Sequence, residues 1–91
     1  MDFEWDDTKD EVNYRKHSIR FAEAVSLWSD SFSLDYYDVI HSVEEKRFIK
    51  LGRSLKNRIL LVIYCERQSE ELIRIISARK ATKLEVLEYE K

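Results

Sequence analysis

The sequence predicts an α+β fold, a mostly antiparallel sheet with two helices ahead of it and one behind, in the order β-α-α-β-β-β-β-α. Three observations carry this. Phe21, Ala24, Val25 and Trp28 recur with the period of a helix. From Phe32 to Ile76 the pattern changes to short β-rich runs with short connections, as in an antiparallel meander. Beyond Ser77 the chain is again rich in Ala, Lys, Leu and Glu, which favour helix.

Each element has its own warrant. Phe3-Glu-Trp5 alternates as a short half-buried strand does, and Asp6 or Asp7 can cap the first helix. Thr8 to His17 is helix-compatible, but Val12 and Tyr14 are its only large apolar residues, so this helix belongs on the surface. Phe21 to Trp28 is the amphipathic second helix, with Trp28 in the core and Ser29-Asp-Ser31 ending it. Phe32 to Tyr36 and Arg47 to Leu51 read as strands, and Gly52, the only glycine, as a turn or bulge. Arg58 to Tyr64 holds the longest apolar run, as in a central strand covered on both faces. A polar turn over residues 66–71 leads to a strand from Leu72 to Ile76. The last helix is expected over 78–91, capped by Ser77, with Ala81, Leu84 and Leu87 turned inward.

A chain of 91 residues is read as one domain, residues 1–91. With 44% hydrophobic residues it can form one core. No proline and one glycine argue against linkers. Cys65 cannot form an internal disulfide, and its apolar surroundings make it a buried hydrophobe. This usage fits a reducing, cytoplasmic setting. The acidic start is not a signal peptide, and the apolar run Ile59 to Tyr64 is far short of the roughly 20 residues that span a bilayer, so no membrane partner is expected.

Charged residues reach 37%, yet the net charge is −2. Residues 1–45 sum to −8. Residues 46–58 carry Lys46, Arg47, Lys50, Arg53, Lys56 and Arg58 with no acid, and residues 74–83 carry Arg74, Arg79, Lys80 and Lys83 with no acid. Two readings stand side by side. An acidic half can neutralise a basic half within the fold, or the basic blocks can form a face for a polyanion.

Several functions find no support. There is no glycine-rich phosphate loop, and no cofactor is expected. His17 and His41 are isolated and the Cys/His spacing of a metal site is missing. A helix-turn-helix over residues 7–28 would press acidic side chains onto phosphates.

Arg74 interrupts an apolar strand, where a guanidinium is costly unless paired or facing a cleft. With the last helix starting at Ala78, Arg79, Lys80 and Lys83 fall in its first turn, where cations oppose the macrodipole by up to about 1 kcal/mol unless an anion lies nearby. That misfit points to a polyanion site.

The residues Phe3-Glu-Trp-Asp6, Lys9, Asn13, Lys16-His17, Phe21-Ala-Glu-Ala24, Glu45-Lys-Arg-Phe-Ile49, Leu51-Gly-Arg-Ser54, Leu60-Leu-Val-Ile-Tyr64, Arg74-Ile-Ile-Ser-Ala-Arg-Lys-Ala81 and Glu88-Tyr89 together resemble the BrnT family, nearly end to end. The resemblance implies a RelE-like fold and the toxin of a type II toxin–antitoxin module, which cleaves RNA and is neutralised by a BrnA antitoxin. The antitoxin would carry the operator DNA contacts. The family usually has Gly where this chain has Ser18, and often a Ser or Thr cap where it has Arg20.

For metal-free cleavage of RNA, Arg79 and Lys80, flanked by Arg74 and Arg47, are the expected phosphate-stabilising groups. His17 and Glu45 are the acid–base candidates, with Tyr89 and Lys83 as alternatives. Lys46, Lys50, Arg53, Arg58, Lys83 and Tyr89 are expected to hold RNA. The competing expectation is a non-catalytic basic module serving antitoxin binding and operon repression.

Overall fold

The computed structural model describes residues 1–42, 45–67 and 71–91. Strand β1 (Asp2–Glu4) is followed by α1 (Asp7–His17), α2 (Phe21–Val25) and a 3₁₀ helix, Ser26–Ser29. Then come β2 (Leu34–Tyr37), β3 (Arg47–Arg53), β4 (Ile59–Arg67), β5 (Leu72–Lys80) and α3 (Lys83–Tyr89). The sheet order is β1-β5-β4-β3-β2. The β2 to β5 meander is antiparallel, as expected, and β1 joins its far edge in parallel with β5. The expected polar turn begins later than predicted, because Glu66 and Arg67 still belong to β4; residues 68–70 of that turn lie outside the described residues.

Helix α1 has almost no apolar face, and its one buried residue is Asn13. Asp6 caps its start, accepting from the Thr8 and Lys9 amides at 2.8 and 3.1 Å. Ser18 ends it in the left-handed region (φ 60°), the conformation a glycine would adopt with less strain. Asn13 joins α1 to the sheet. Its Oδ1 accepts from the Ala78 amide (3.1 Å), and its Nδ2 donates to the Ala78 and Ile19 carbonyls (2.9 and 2.8 Å). β1 pairs β5 only from Leu72 to Arg74, so Asn13 satisfies part of an edge that no described strand covers. Arg20 gives α2 no side-chain cap, and Ser18 does not supply one; Asp10 of α1 accepts from the Phe21 amide at 2.8 Å instead.

Ile19, Phe21, Ala24 and Leu27 pack onto Leu60, Val62, Tyr64, Ile73, Ile75 and Ala78 of one sheet face. Trp28 is only partly buried, and stands edge-on to Phe3 (5.1 Å) and Tyr64 (4.9 Å). Gly52 is neither turn nor bulge but an interior residue of β3. A Cβ there would sit 3.1 Å from Leu27 Cγ and 3.1 Å from Ser33 Cβ, so glycine lets the 3₁₀ helix lie close on the strand.

Three expectations fail at the C-terminus. Residues 78–80 continue β5, paired with Leu60 to Val62, and α3 begins only at Lys83. Its cap is Thr82, not Ser77, in a capping box with Glu85. Leu84 and Leu87 are exposed rather than turned inward. β5 also contains a bulge: Ser77 pairs with Ile63 and Ile75 with Tyr64, which leaves Ile76 as an extra residue.

Glu23 of α2 is 7% exposed. It accepts from Ser54 Oγ (2.6 Å) and Arg58 Nε (3.0 Å) and forms a second, very short contact with Arg58 Nη2. Burial alone would raise its carboxyl pKa, but the hydrogen bonds from Arg58 and Ser54, with the charges of Arg58 and Lys56, outweigh this and hold it below its ordinary value. A depressed carboxylate stabilises the fold above its unfolded pKa, near ~4.3, and loses that contribution as pH falls through the folded value. In urea titrations Glu23→Gln is therefore expected to be less stable than wild type at neutral pH, with the gap narrowing as pH falls below about 4. A gap that stays constant with pH contradicts this. Asn13→Ala is expected to lose about 2–4 kcal/mol, because Ala78 is left with unsatisfied buried groups and a cavity forms. A urea midpoint unchanged within error would show that Asn13 does not hold α1.

Candidate functional site

The helices α1 and α2 cover one face of the sheet, and the register identifies what lies on the other. Arg47, Cys65 and Arg74 occupy one cross-strand row, and Glu4 on β1 completes it. Simple alternation along β5 would put Arg74 and Arg79 on opposite faces. The extra residue at Ile76 corrects the phase, so that Arg74 pairs with Cys65 and Arg79 with Leu61, two residues on the same face of β4. Ser77, opposite Ile63, lies between them on that face. The arginines are thus offset by four residues of β4, roughly 13 Å at the usual strand rise.

Arg74 donates to Glu4 at 2.9 Å. Arg67 donates to Glu45 at 3.0 Å. Arg47 has a buried Nε with no hydrogen-bond partner among the described residues. Cys65, beneath these side chains, is fully buried. Burial pushes its thiol up, as expected of a packed cysteine.

Arg79 makes an end-on fork with Glu85, Nη1 to Oε1 at 2.8 Å and Nη2 to Oε2 at 2.9 Å, and Nη1 also reaches the Lys80 carbonyl (3.2 Å). This pair raises the Arg79 pKa and lowers that of Glu85. The Arg79 Nε has no partner among these bonds. Arg79 and Lys80 are strand residues, so the expected conflict with a helix macrodipole does not arise; only Lys83 enters the helix. What marks these cations instead is their place on the open face and next to it.

The other predicted residues scatter. Lys50 is 5% exposed, pairs with Asp35 at 3.1 Å and lies over the Trp28 ring, on the helix side. Arg58 is bound to Glu23. Both are engaged on the helix side of the sheet, Lys50 with Trp28 and Arg58 with Glu23 of α2, away from the arginine row. Tyr89 donates to Asp30 at 2.6 Å, beneath Arg53, and holds the end of α3. Lys46, Lys80 and Lys83 are exposed. Glu45 is on the open face with Arg67. His17 is not in the arginine row: it lines a groove of about 270 Å³ between α1 and the edge of β5, together with Lys9, Lys16 and Ser77.

Sequence reasoning missed Glu4, Arg67 and Ser77. Glu4 and Arg67 join the site only through pairing of distant segments, and Ser77 only through the bulge. Chemically, the open face offers guanidinium groups in fixed positions, suited to phosphate oxygens, with carboxylates as their present partners. α3 bounds it, leaving an apolar groove of about 350 Å³ against Tyr36, Ile49, Leu51 and Leu61. Among the described residues no helix is long and apolar enough to cross a membrane.

A family model described as the ribonuclease toxin BrnT of type II toxin–antitoxin systems matches residues 5–85. Among solved structures, the chain is similar to the Brucella abortus ribonuclease toxin BrnT, with 25% identity and a TM-score of 0.70 over 91% of this chain and 99% of that one. No curated protein matches it.

Proposed function

The chain belongs to the BrnT family of ribonuclease toxins of type II toxin–antitoxin systems, and on that premise we propose that it is a metal-independent endoribonuclease whose open sheet face holds and cleaves RNA. The observation that carries this is the bulge at Ile76, through which Arg74 and Arg79 share a face with Arg47. Residues 1–91 act as one toxin domain in this reading. Its cleavage of RNA inhibits translation, a BrnA-like antitoxin neutralises it, and operator DNA is contacted only through that antitoxin.

Cleavage by the 2′-hydroxyl requires removal of its proton, stabilisation of charge on the phosphoryl oxygens, and a proton for the departing 5′-oxygen. Arg74 and Arg79 serve the second need, with Arg47, whose Nε has no described partner, reaching in from β3. Lys80 follows Arg79 at the exposed end of the strand. Proton transfer falls to carboxylates already on this face, Glu4 and Glu45. Each is held by an arginine that a phosphate would claim; a carboxylate so released takes the 2′-hydroxyl proton, and the carboxylic acid so formed returns it to the departing 5′-oxygen. Charge stabilisation by fixed guanidinium groups leaves no role that a metal ion must fill.

Purified wild-type protein is expected to cleave naked RNA, and Arg79→Ala and Arg74→Ala each to slow cleavage by about 10²–10³-fold, the usual cost of one such donor, with circular dichroism unchanged. Arg79→Lys is expected to fail as well, since an ammonium cannot hold Glu85 by a fork and a phosphate at once. A folded Arg79→Ala that cleaves and arrests growth as wild type does overturns the role given to Arg79, and wild-type protein that leaves RNA intact overturns the nuclease in favour of a non-catalytic role in antitoxin binding and repression. Cleavage is expected to persist in EDTA. Loss in EDTA with recovery on adding magnesium would sink the metal-independent mechanism.

A further inference from the structure

We infer that the groove between α1 and the outer edge of β5 is a second anchoring site for the RNA backbone, in which Lys9, Lys16 and His17 hold a phosphate next to the arginine face. This rests on the reading of RNA as the substrate and adds a subsite and its path.

The first observation is the chemistry of the walls. Besides aliphatic groups, the groove is lined by Thr8, Lys9, Lys16, His17 and Ser77 and by Asn13, whose amide is already bonded to Ala78 and Ile19. Among the described residues no carboxylate lines it, although α1 lies in the most acidic part of the chain. Of the acids of α1, Asp10 binds the Phe21 amide and Glu11 binds Arg20, and Asp7 does not line the groove. Asp6 occupies the amides at the helix start, so the site does not depend on a free helix terminus.

The second is the state of the cations. Arg20, Lys50, Arg58, Arg67, Arg74 and Arg79 each have a carboxylate partner. Among the described residues, none of Lys9, Lys16 and His17 is within ion-pair distance of one. Lys9 and Lys16 are two helical turns apart on one side of α1, with His17 beside Lys16, so the three share a stripe.

The third is continuity. Ser77 lines this groove and lies on the open face between Arg74 and Arg79. The bulge at Ile76, itself a wall of the groove, turns the strand at this point. A single strand of RNA laid across β5 would pass from the arginine face over Ser77 to the cations of α1. Continuity with the face proposed to hold RNA favours RNA over an acidic protein segment as the occupant.

Binding of a fluorescent 2′-O-methyl oligoribonucleotide, which cannot be cleaved, tests this over a range of salt. Lys9→Gln/Lys16→Gln is expected to bind about tenfold more weakly at ~0.1 M salt, with the log–log salt slope reduced by about one, as for one lost phosphate contact. Lys56→Gln, an exposed control, is expected to match wild type. With a cleavable RNA, His17→Gln is expected to raise KM and leave kcat unchanged, the mark of a binding group. A fall in kcat at constant KM would make His17 a proton-transfer residue and overturn its place here. Wild-type affinity in the double variant, with Arg74→Ala impaired, overturns the groove and leaves the nuclease standing. Weakened binding of an acidic antitoxin segment, with oligonucleotide affinity intact, overturns it in favour of a protein site. Failure of the wild type to bind the oligonucleotide removes the RNA reading itself, and the groove with it.

Discussion

One side-chain amide ties the first helix to the sheet. α1 cannot dock by hydrophobic burial, because it has no apolar stripe to bury. It docks by Asn13, which gives and receives hydrogen bonds with Ala78 as a neighbouring strand would, and binds Ile19 besides. Each such bond contributes about 1 kcal/mol net, but leaving its buried partners unsatisfied costs more. The same contact closes an otherwise open strand edge, which is a hazard for aggregation. It also sets the position of Lys9, Lys16 and His17, since these lie on the turns either side of Asn13.

Charge in this chain is organised by face rather than by block. The basic segment 46–58 suggests a cationic patch, yet Lys50 and Arg58 are used inside the fold against Asp35 and Glu23. The acidic segment that opens the chain suggests repulsion of nucleic acid, yet one side of its helix is basic. Summing charge along the sequence averages over directions that a helix or strand separates. The acids that give the first half its negative sum are largely cap and ion-pair partners, among them Asp6, Asp10, Glu11, Glu23 and Asp30. With those charges answered locally, Lys9 and Lys16 on α1 and Lys80 at the end of β5 are left without an ion pair among the described residues.

The order of elements was legible because it depends on local pattern: the stripe at Phe21 to Trp28 and the run at Ile59 to Tyr64 have one sensible reading each. Three features were not. β1 pairs in parallel with the last strand, a contact between the two ends of the chain that no local signal encodes. Residues 78–81 are helix formers by propensity, but the ladder with β4 and the bond to Asn13 give the backbone of Ala78 to Lys80 a better set of partners. The bulge was hidden because Ile73, Ile75 and Ile76 suit either face of a strand, so the phase of Arg79 relative to Arg74 could not be counted from sequence. The residue types of the candidate site around Arg74 and Arg79 were legible, while their shared face depended on that one extra residue.

The pairing of Arg79 with Glu85 looks at first like a reason against a role for Arg79 on RNA, since the carboxylate occupies a fork that a phosphate could use. The geometry leaves room for one. A guanidinium presents five donors along more than one edge. Glu85 takes the end-on edge, through Nη1 and Nη2, and the Lys80 carbonyl takes the other Nη1 hydrogen. The side-on edge, formed by Nε and the second Nη2 hydrogen, makes none of these bonds. Glu85 is in turn fixed by the Thr82 cap, so the carboxylate that orients the guanidinium is itself held by the helix it helps to start. An arginine fixed at one edge and free at the other loses little freedom when it meets an anion, which is the condition for strong stabilisation of a developing charge. A lysine there would have no planar fork by which Glu85 could fix it, and would meet an anion as a mobile point charge.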